Sequence, residues 1–342
     1  MSPPPELSRK MLDHQLSETS RRQDVELSVC VVTYNQEKYI GACLQSIIGQ
    51  ATDFDFEVIV GDDCSTDMTR KIISEFAEKY PGKIRPLFHT SNLGPALNYK
   101  ATHQHACGRL VAHVDGDDLM LPGKLAAQHA ALMQNPDCVM VTHDVQVIDE
   151  DGNLISTSFK RHKSGVNKLS DLYQTLPFFA HSSKMVRGDI DRVSLEWVNP
   201  KTIDIELHVF MAHKGNIFHI DAPLGAYRIS TGMTAAAHGA VNTALVDATQ
   251  RIFATALSES NDEREFISKC QAKAFLNYAY QAAVLGNKKQ VKAFSKISLN
   301  SSKTNLIQMI FNLAPTNLII YICKFRKFLK SNPGESLQKS AP

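Results

Sequence analysis

Residues 108–125 run GRLVAHVDGDDLMLPGKL. Arg109 to Val114 is a short apolar stretch that stops abruptly at Asp115-Gly116-Asp117-Asp118. Past Pro122 the spacing becomes helical and stays so to about Gln134. A buried-type strand that ends in carboxylates and hands over to a helix is the repeating unit of an α/β sheet. The same unit recurs upstream. Leu27 to Thr33 is a strand, followed over Glu37 to Gly49 by a helix with Ile40, Cys43, Leu44, Ile47 and Ile48 on one side. Phe56 to Val60 (FEVIV) is a second strand; it leads through the polar turn Gly61-Asp62-Asp63-Cys64-Ser65-Thr66-Asp67 into a helix that Tyr80-Pro81-Gly82 ends. Ser65 or Thr66 is expected to cap that helix. Lys83 to Phe88 and Gly94 to Ala106 complete a third pair. This alternation predicts an α/β, Rossmann-like fold, with a mainly parallel sheet covered by helices on both faces.

Downstream, Cys138–Ile148 and Leu154–Ser158 flank Asp149-Glu150-Asp151-Gly152-Asn153 as a hairpin. Residues 159–175 are polar and expected to be a mobile loop, Ile203 to Lys214 a helix, and Asn216 to Ile229 a strand. From Thr243 helices dominate. The organisation expected is therefore a flexible arm over 1–25, an α/β domain over 26–235, and a helical appendage over 236–342 with a disordered tail.

In such sheets ligands bind beyond the carboxyl ends of the strands. Tyr34-Asn35, Asp62-Asp63 and Asp115–Asp118 all lie just after strands, so they converge on one edge. Asp115 and Asp117 sit two apart on a strand continuation, with Gly116 allowing a tight turn. Their hard oxygens suit Mg²⁺ or Mn²⁺ and, through it, a diphosphate; the alternative is a solvated, helix-capping turn. Asp62 and Asp63 are either caps or acceptors for the N–H of a pyrimidine base.

The segments SVCVVTYNQEKYI, CLQSIIGQ, FEVIVGDDCSTDMT, NLGPALN and GRLVAHVDGDDLMLPGKL together resemble the family 2 glycosyltransferases of GT-A fold, over about residues 27–230. The resemblance implies a hexosyltransferase-type enzyme that uses a nucleoside-diphosphate sugar and inverts the anomeric centre. Carried over by position, Thr33 and Tyr34 contact the nucleotide, with Asn35 and Glu37 orienting their loop. Asp63, with Asp62 beside it, meets the uracil of a UDP-sugar. Asn92 and Gly94 flank the donor pocket, Asp115 faces the ribose or sugar, and Asp117 holds the Mn²⁺ or Mg²⁺. Leu97-Asn98 stands where many relatives carry Arg-Asn. The catalytic base is expected in Thr202-Ile203-Asp204-Ile205-Glu206-Leu207, at Asp204 or alternatively Glu206, because the attacking hydroxyl must lose a proton. Tyr227-Arg228 matches a Y-R element whose Arg meets phosphate or acceptor charge. The acceptor implied is a glycan or a lipid-linked carbohydrate, as in surface polysaccharide synthesis. Two other readings stay open: a non-catalytic module that kept the fold, and a nucleotidyltransferase.

Composition narrows the rest. With 37 Lys and Arg against 35 Asp and Glu, the net charge of +2 gives no reason to expect nucleic acid. The 7 cysteines contain no C-x-x-C pair and lie in apolar runs, which predicts reduced thiols and a cytoplasmic location. MSPPPELSRK offers no apolar stretch for a secretory signal. There is no H-E-x-x-H, nucleophile elbow or P-loop; His208 and His213 are expected on a helix surface. Residues 306–323 are uncharged but interrupted by Pro315, too broken for a clean span. From Leu318 to Lys330, Leu318, Ile322, Phe325 and Leu329 share a face beside Lys324, Arg326, Lys327 and Lys330. That pattern suits either peripheral attachment to an anionic cytoplasmic leaflet or packing on the rest of the chain.

Overall fold

The computed structural model describes residues 25–229, 240–260, 262–302 and 306–331, without the side chains of 325 and 328–331. Nearly all of the expected N-terminal arm and the tail from 332 lie outside the described residues. Those residues form two compact units: one of 25–169 with 178–229, the other of 170–177 with 240–331.

In the first unit the elements in order are β1 (Leu27–Thr33), α1 (Ile40–Ile48), β2 (Phe56–Asp62), α2 (Thr69–Lys79), β3 (Ile84–Phe88), α3 (Pro95–His103), β4 (Leu110–Asp115), β5 (Leu119–Met120), α4 (Lys124–Gln134), β6 (Cys138–Ile148), β7 (Leu154–Ser156) and β8 (Gly165–Asn167). The next helix, α5 (Leu169–Thr175), belongs to the second unit but for its first residue. The first unit resumes with β9 (Met185–Arg187), α6 (Gly188–Ser194), α7 (Asp204–Ala212) and β10 (Asn216–Arg228). One sheet runs β3-β2-β1-β4-β9-β6-β10-β5, with β7 on β6 and β8 on β10. β3, β2, β1 and β4 are parallel, as are β6 and β10. β9 joins the two parallel blocks antiparallel to both β4 and β6.

Register delivers the site. Thr33 lies opposite Asp62 and Val32 opposite Asp115, so three strands stop at the same level. Their apolar runs lack alternation because both faces are covered. Val29, Val31, Val58, Val60, Ala112 and Val114 pack with Ile40, Leu44 and Ile47 of α1, while Cys30, Ile59 and Val111 pack with Ala106 on the other face. The stretch 159–175 departs from expectation: it contains β8 and α5 rather than one loop. Its polar composition hides them, since only Leu172 and Tyr173 of α5 are buried. All seven cysteines are free thiols.

The second unit comprises α5, α8 (Thr243–Glu259), α9 (Arg264–Leu285), α10 (Lys288–Ser301), α11 (Leu306–Leu313) and α12 (Thr316–Ser331). Phe275, Ala279, Ala282 and Ala283 of α9, Val291 and Phe294 of α10, and Ile319 and Cys323 of α12 form its core. The buried face of α12 is therefore that of Ile319 and Cys323, whereas Leu318 and Ile322 are exposed. In α11 the polar Gln308 is buried, donating to Ser298 O and Ser302 O, while Ile307, Ile310 and Leu313 face outward. No described helix is long and apolar enough to cross a membrane.

Candidate active site

The turn after β4 is built tightly. Gly116 N–H donates to Val32 O at 2.9 Å and Asp118 N–H to Asp115 O at 3.0 Å. A Cβ on Gly116 would lie 2.6 Å from Gln36 Oε1 and 2.8 Å from Thr33 Cβ. Gly116→Ala is therefore expected to lower stability by about 1–3 kcal/mol, the usual cost of overpacking, read as a lower urea midpoint. An unchanged midpoint would show that the turn yields freely.

The four residues of the turn have distinct surroundings. Asp115 Oδ1 lies 3.2 Å from His113 Nε2, and Oδ2 accepts from Ser182 Oγ at 3.0 Å. Asp118 Oδ1 accepts the Arg228 N–H at 2.8 Å, while its buried Oδ2 has no partner. Arg228 Nε donates to Asp117 O at 3.0 Å, and its Nη1 to the carbonyls of Asp149 and Glu150 at 2.7 and 3.1 Å. Its guanidinium also stacks 4.5 Å over the Tyr39 ring. The guanidinium bonds of Arg228 thus go to backbone carbonyls, fastening the acidic turn to the hairpin turn at 149–150. Removal from water pushes the Asp115 and Asp118 carboxyls up, Asp118 well above its usual range, with Asp117 and Asp115 adding repulsion. Three desolvated carboxylates, one with an unpartnered oxygen, are the donor set a hard divalent cation fits.

On the β1–β2 side the loops hold one another. Thr33 Oγ1 donates to Gln36 Oε1 at 2.7 Å. Asn35, at φ +50°, donates its N–H to Ser65 Oγ and accepts the Thr66 N–H on Oδ1. Glu37 Oε2 accepts the Met68 N–H, and Glu37 N–H donates to Asp67. Asp67 Oδ1 also accepts the Thr69 N–H. The helix-starting acceptor is thus Asp67, not Ser65 or Thr66, because those two are already tied to Asn35. Asp62 is fully buried, paired with Arg70 Nε at 2.6 Å and accepting the Ser65 N–H. Both oxygens of Asp63 accept backbone N–H groups, of Leu93 at 2.6 Å and Gly94 at 2.9 Å. Asn92 closes that turn by donating to Asp63 O and accepting from Gly94 N–H. Gly94 takes φ +83° just before Pro95 starts α3. Asn98 is buried and donates to Gly61 O at 3.0 Å. Tyr34, by contrast, is 47% exposed at the strand edge.

Behind the turn lies a buried polar network that sequence reading missed. His103 Nδ1 is 3.0 Å from Asp191, His103 Nε2 is 3.0 Å from His113 Nδ1, and His113 reaches Asp115. The fully buried Lys184 ammonium donates to Tyr99 Oη at 3.2 Å and lies 3.4 Å from His181 Nδ1. Desolvation lowers Lys184 to about 8, opposed by Asp191, Asp204 and Asp115. Lys124, also buried, donates to Ser182 O. Burial, and next Lys184, hold His113, His181 and His208 well below the usual imidazole range.

Asp204 stands at the first turn of α7, accepting the Ile205 N–H at 2.9 Å. Glu206 Oε2 accepts the Ile203 N–H at 3.1 Å, so Glu206 caps α7. His208 is fully buried rather than on the helix surface, 3.0 Å from His181. A carboxylate oxygen of Asp204 and ring nitrogens of His181 and His208 lie within 4.8 Å of one another. The i, i+4 spacing of Asp204 and His208 was the available signal for this group. Lys184 Nζ, 3.4 Å from His181 Nδ1, already places a positive charge beside this group. Desolvation raises the Asp204 carboxyl, with Asp115 adding to the rise and Lys184 opposing it.

Residues 28–194 match the family model described as "Glycosyl transferase family 2". An uncharacterized protein of Mycobacterium bovis is 34% identical over 207 residues, 59% of this chain; the match spans only 58% of that relative's length. Poly(ribitol-phosphate) beta-N-acetylglucosaminyltransferase TarS of Staphylococcus aureus is 41% identical over 97 residues, 28% of this chain and 16% of that protein. The crystal structure of TarS residues 1–349 with UDP-GlcNAc superposes with TM-score 0.60 at 18% identity, covering 89% of this chain and 92% of that one. A mannosyltransferase of Pyrobaculum calidifontis with GDP-Man and Mn²⁺ gives TM-score 0.53 at 16% identity, covering 95% and 97%. At such identities the structural likeness establishes the GT-A fold.

Proposed function

Because residues 28–194 form a glycosyl transferase family 2 domain, we propose that this chain moves a sugar from a nucleoside-diphosphate donor, uridine-linked, to a glycan or lipid-linked acceptor with inversion. The observation that carries the reading is the pairing of two carboxylate groups in one electrostatic field. Burial raises the Asp204 carboxyl of α7 and Asp115 of the acidic turn adds to that rise, while both carboxylates act to keep the proton on Lys184. The acidic turn supplies Asp117 and Asp115 for Mn²⁺ or Mg²⁺, which when bound neutralises the departing diphosphate. Asp204 takes the proton of the acceptor hydroxyl as its oxygen bonds the anomeric carbon; the carbon–oxygen bond to the diphosphate breaks and that oxygen keeps the electron pair. Glu206 is the weaker candidate because it caps the helix.

The base rests against exposed Tyr34 and the 92–94 turn that Asp63 holds, with Asn92 and Gly94 shaping that turn. Asn35, Glu37 and Asp62 keep the loops around Thr33 in place, and Arg228 keeps the acidic turn in place. The complexes of TarS with UDP-GlcNAc and of the Pyrobaculum calidifontis mannosyltransferase with GDP-Man support a nucleotide-sugar donor, and the poly(ribitol-phosphate) acceptor in the name of TarS supports a polymeric acceptor, as in surface polysaccharide synthesis.

The test is a panel of UDP-, GDP- and TDP-sugars with Mn²⁺, scored for release of the nucleoside diphosphate. Hydrolysis or transfer with UDP-sugars above the others is the expected result. Donor binding without turnover across the panel would instead favour a binding module.

A further inference from the structure

Residues 286–331 contain nine lysines and arginines and no aspartate or glutamate, in a chain whose total is only +2. The rest of the protein is therefore net acidic, and all but one of these nine cations lie on α10 and α12, the helices on either side of the uncharged α11. On α11 and α12 several large apolar side chains face outward even though Ile319 and Cys323 point into the core. Ile307, Ile310 and Leu313 of α11 are 46–75% exposed while Gln308 is turned inward. Beyond Pro315, Leu318 and Ile322 of α12 are also about half exposed, at 50% and 51%. Large apolar side chains exposed in this number on two successive helices mark an interaction surface.

Charge and apolar face adjoin. Lys288, Lys289 and Lys292 of α10 line a shallow cleft of about 360 Å³ together with Pro315, Thr316 and Asn317, the link between α11 and α12. Lys324, Arg326 and Lys327 are exposed further along α12. Apolar side chains bordered by cations complement a leaflet whose acyl region lies under anionic headgroups. We propose that this face of the helical unit docks on an anionic phospholipid bilayer, with α11 and the start of α12 entering the interface and the α10 lysines meeting headgroup phosphates. This extends the basic stretch seen at Leu318–Lys330 in the sequence: the inserted part centres on α11, and lysines far away in sequence join the rim. The proposal does not depend on the transfer reaction.

Co-sedimentation of the full chain with vesicles tests it. Vesicles of phosphatidylcholine with phosphatidylserine should pellet the protein at low salt, and phosphatidylcholine alone should not. Salt of about 1 M, where the Debye length is about 3 Å, should release most of it. The triple variant Lys288→Glu, Lys289→Glu, Lys292→Glu should lose about 10²-fold in partitioning or more. Ile307→Asp with Leu313→Asp should also stay in the supernatant. All five positions are exposed, so both variants should keep the parent circular dichroism. Three results would overturn the proposal. One is a full chain that stays in solution with anionic vesicles at low salt. Another is an Ile307/Leu313 variant that pellets like the parent and is displaced by inorganic polyphosphate, which identifies a soluble polyanion as the partner. The third is concentration-dependent dimerisation, abolished by that variant, in place of vesicle binding; a second copy then covers the face.

Discussion

Replacing Asp204 by asparagine is expected to reduce turnover by about 10² to 10⁴ while leaving donor affinity nearly unchanged. In the proposed reaction the carboxylate is needed only where the acceptor oxygen becomes nucleophilic, and the nucleotide-side loops are untouched by the change. A second readout separates this from simple damage. Removal from water raises the Asp204 pKa, so the folded protein binds its proton more tightly than the unfolded chain does. Between the ordinary aspartate value of about 3.9 and the raised one, stability therefore falls as pH rises. The asparagine variant lacks that loss. It should melt higher than the parent at pH 9, above the value of about 8 where Lys184 sheds its proton, and the gain should vanish on acidification below about pH 4. If Asp204→Asn retains transfer and Glu206→Gln is inactive, the cap and the base have been exchanged.

Asp117→Asn should abolish metal-supported donor binding. Calorimetric titration of UDP with Mn²⁺ should give an affinity on the order of 10²-fold above that with chelator, because the cation's stabilisation of diphosphate charge is worth several kcal/mol. In Asp117→Asn the two titrations should converge on the weaker value. His181→Ala should leave the metal dependence intact, since Lys184 already supplies the charge beside His181. Equal UDP affinity with Mn²⁺ and chelator in the parent would remove the acidic turn as the metal seat. Dependence abolished by His181→Ala instead would move that seat to the histidine group.

How much of this is legible in sequence varies with what each residue faces. The strands β1, β2 and β4 are plain because burial on both faces makes them continuous apolar runs, and their common register follows from parallel pairing. The acidic turn is plain for the same reason: it interrupts such a run. Asp204 is visible as an acidic residue opening a helix, yet nothing in the sequence separates it from Glu206; that distinction comes from Glu206 reaching back to Ile203 N–H. Asp63 and Arg228 show their backbone partners only in three dimensions. The network of His103, His113, Asp191, Lys184 and His208 is invisible to hydropathy, which places lysine and histidine at the surface. Those side chains come from four separate elements and the segment just before β9, and only folding makes them neighbours. The inward Gln308 reverses the ordinary polarity of a helix and is unreadable without its partners on α10 and beyond it.

The interleaving of the two units has a consequence for synthesis. Helix α5 leaves the ribosome early, yet Leu172 and Tyr173 are packed in the unit completed by later helices, where the Tyr173 ring lies 5.9 Å from that of Phe253. Eighty residues separate that pair, about 4–16 s of translation at ordinary rates. Throughout that interval the Leu172 and Tyr173 side chains of α5 wait without the later helix that carries Phe253. Slower translation of residues 178–253 should lengthen that exposure and raise the demand for chaperones. A gene ended near codon 235 makes the exposure permanent, so such a product should aggregate even though every strand of the sheet is present.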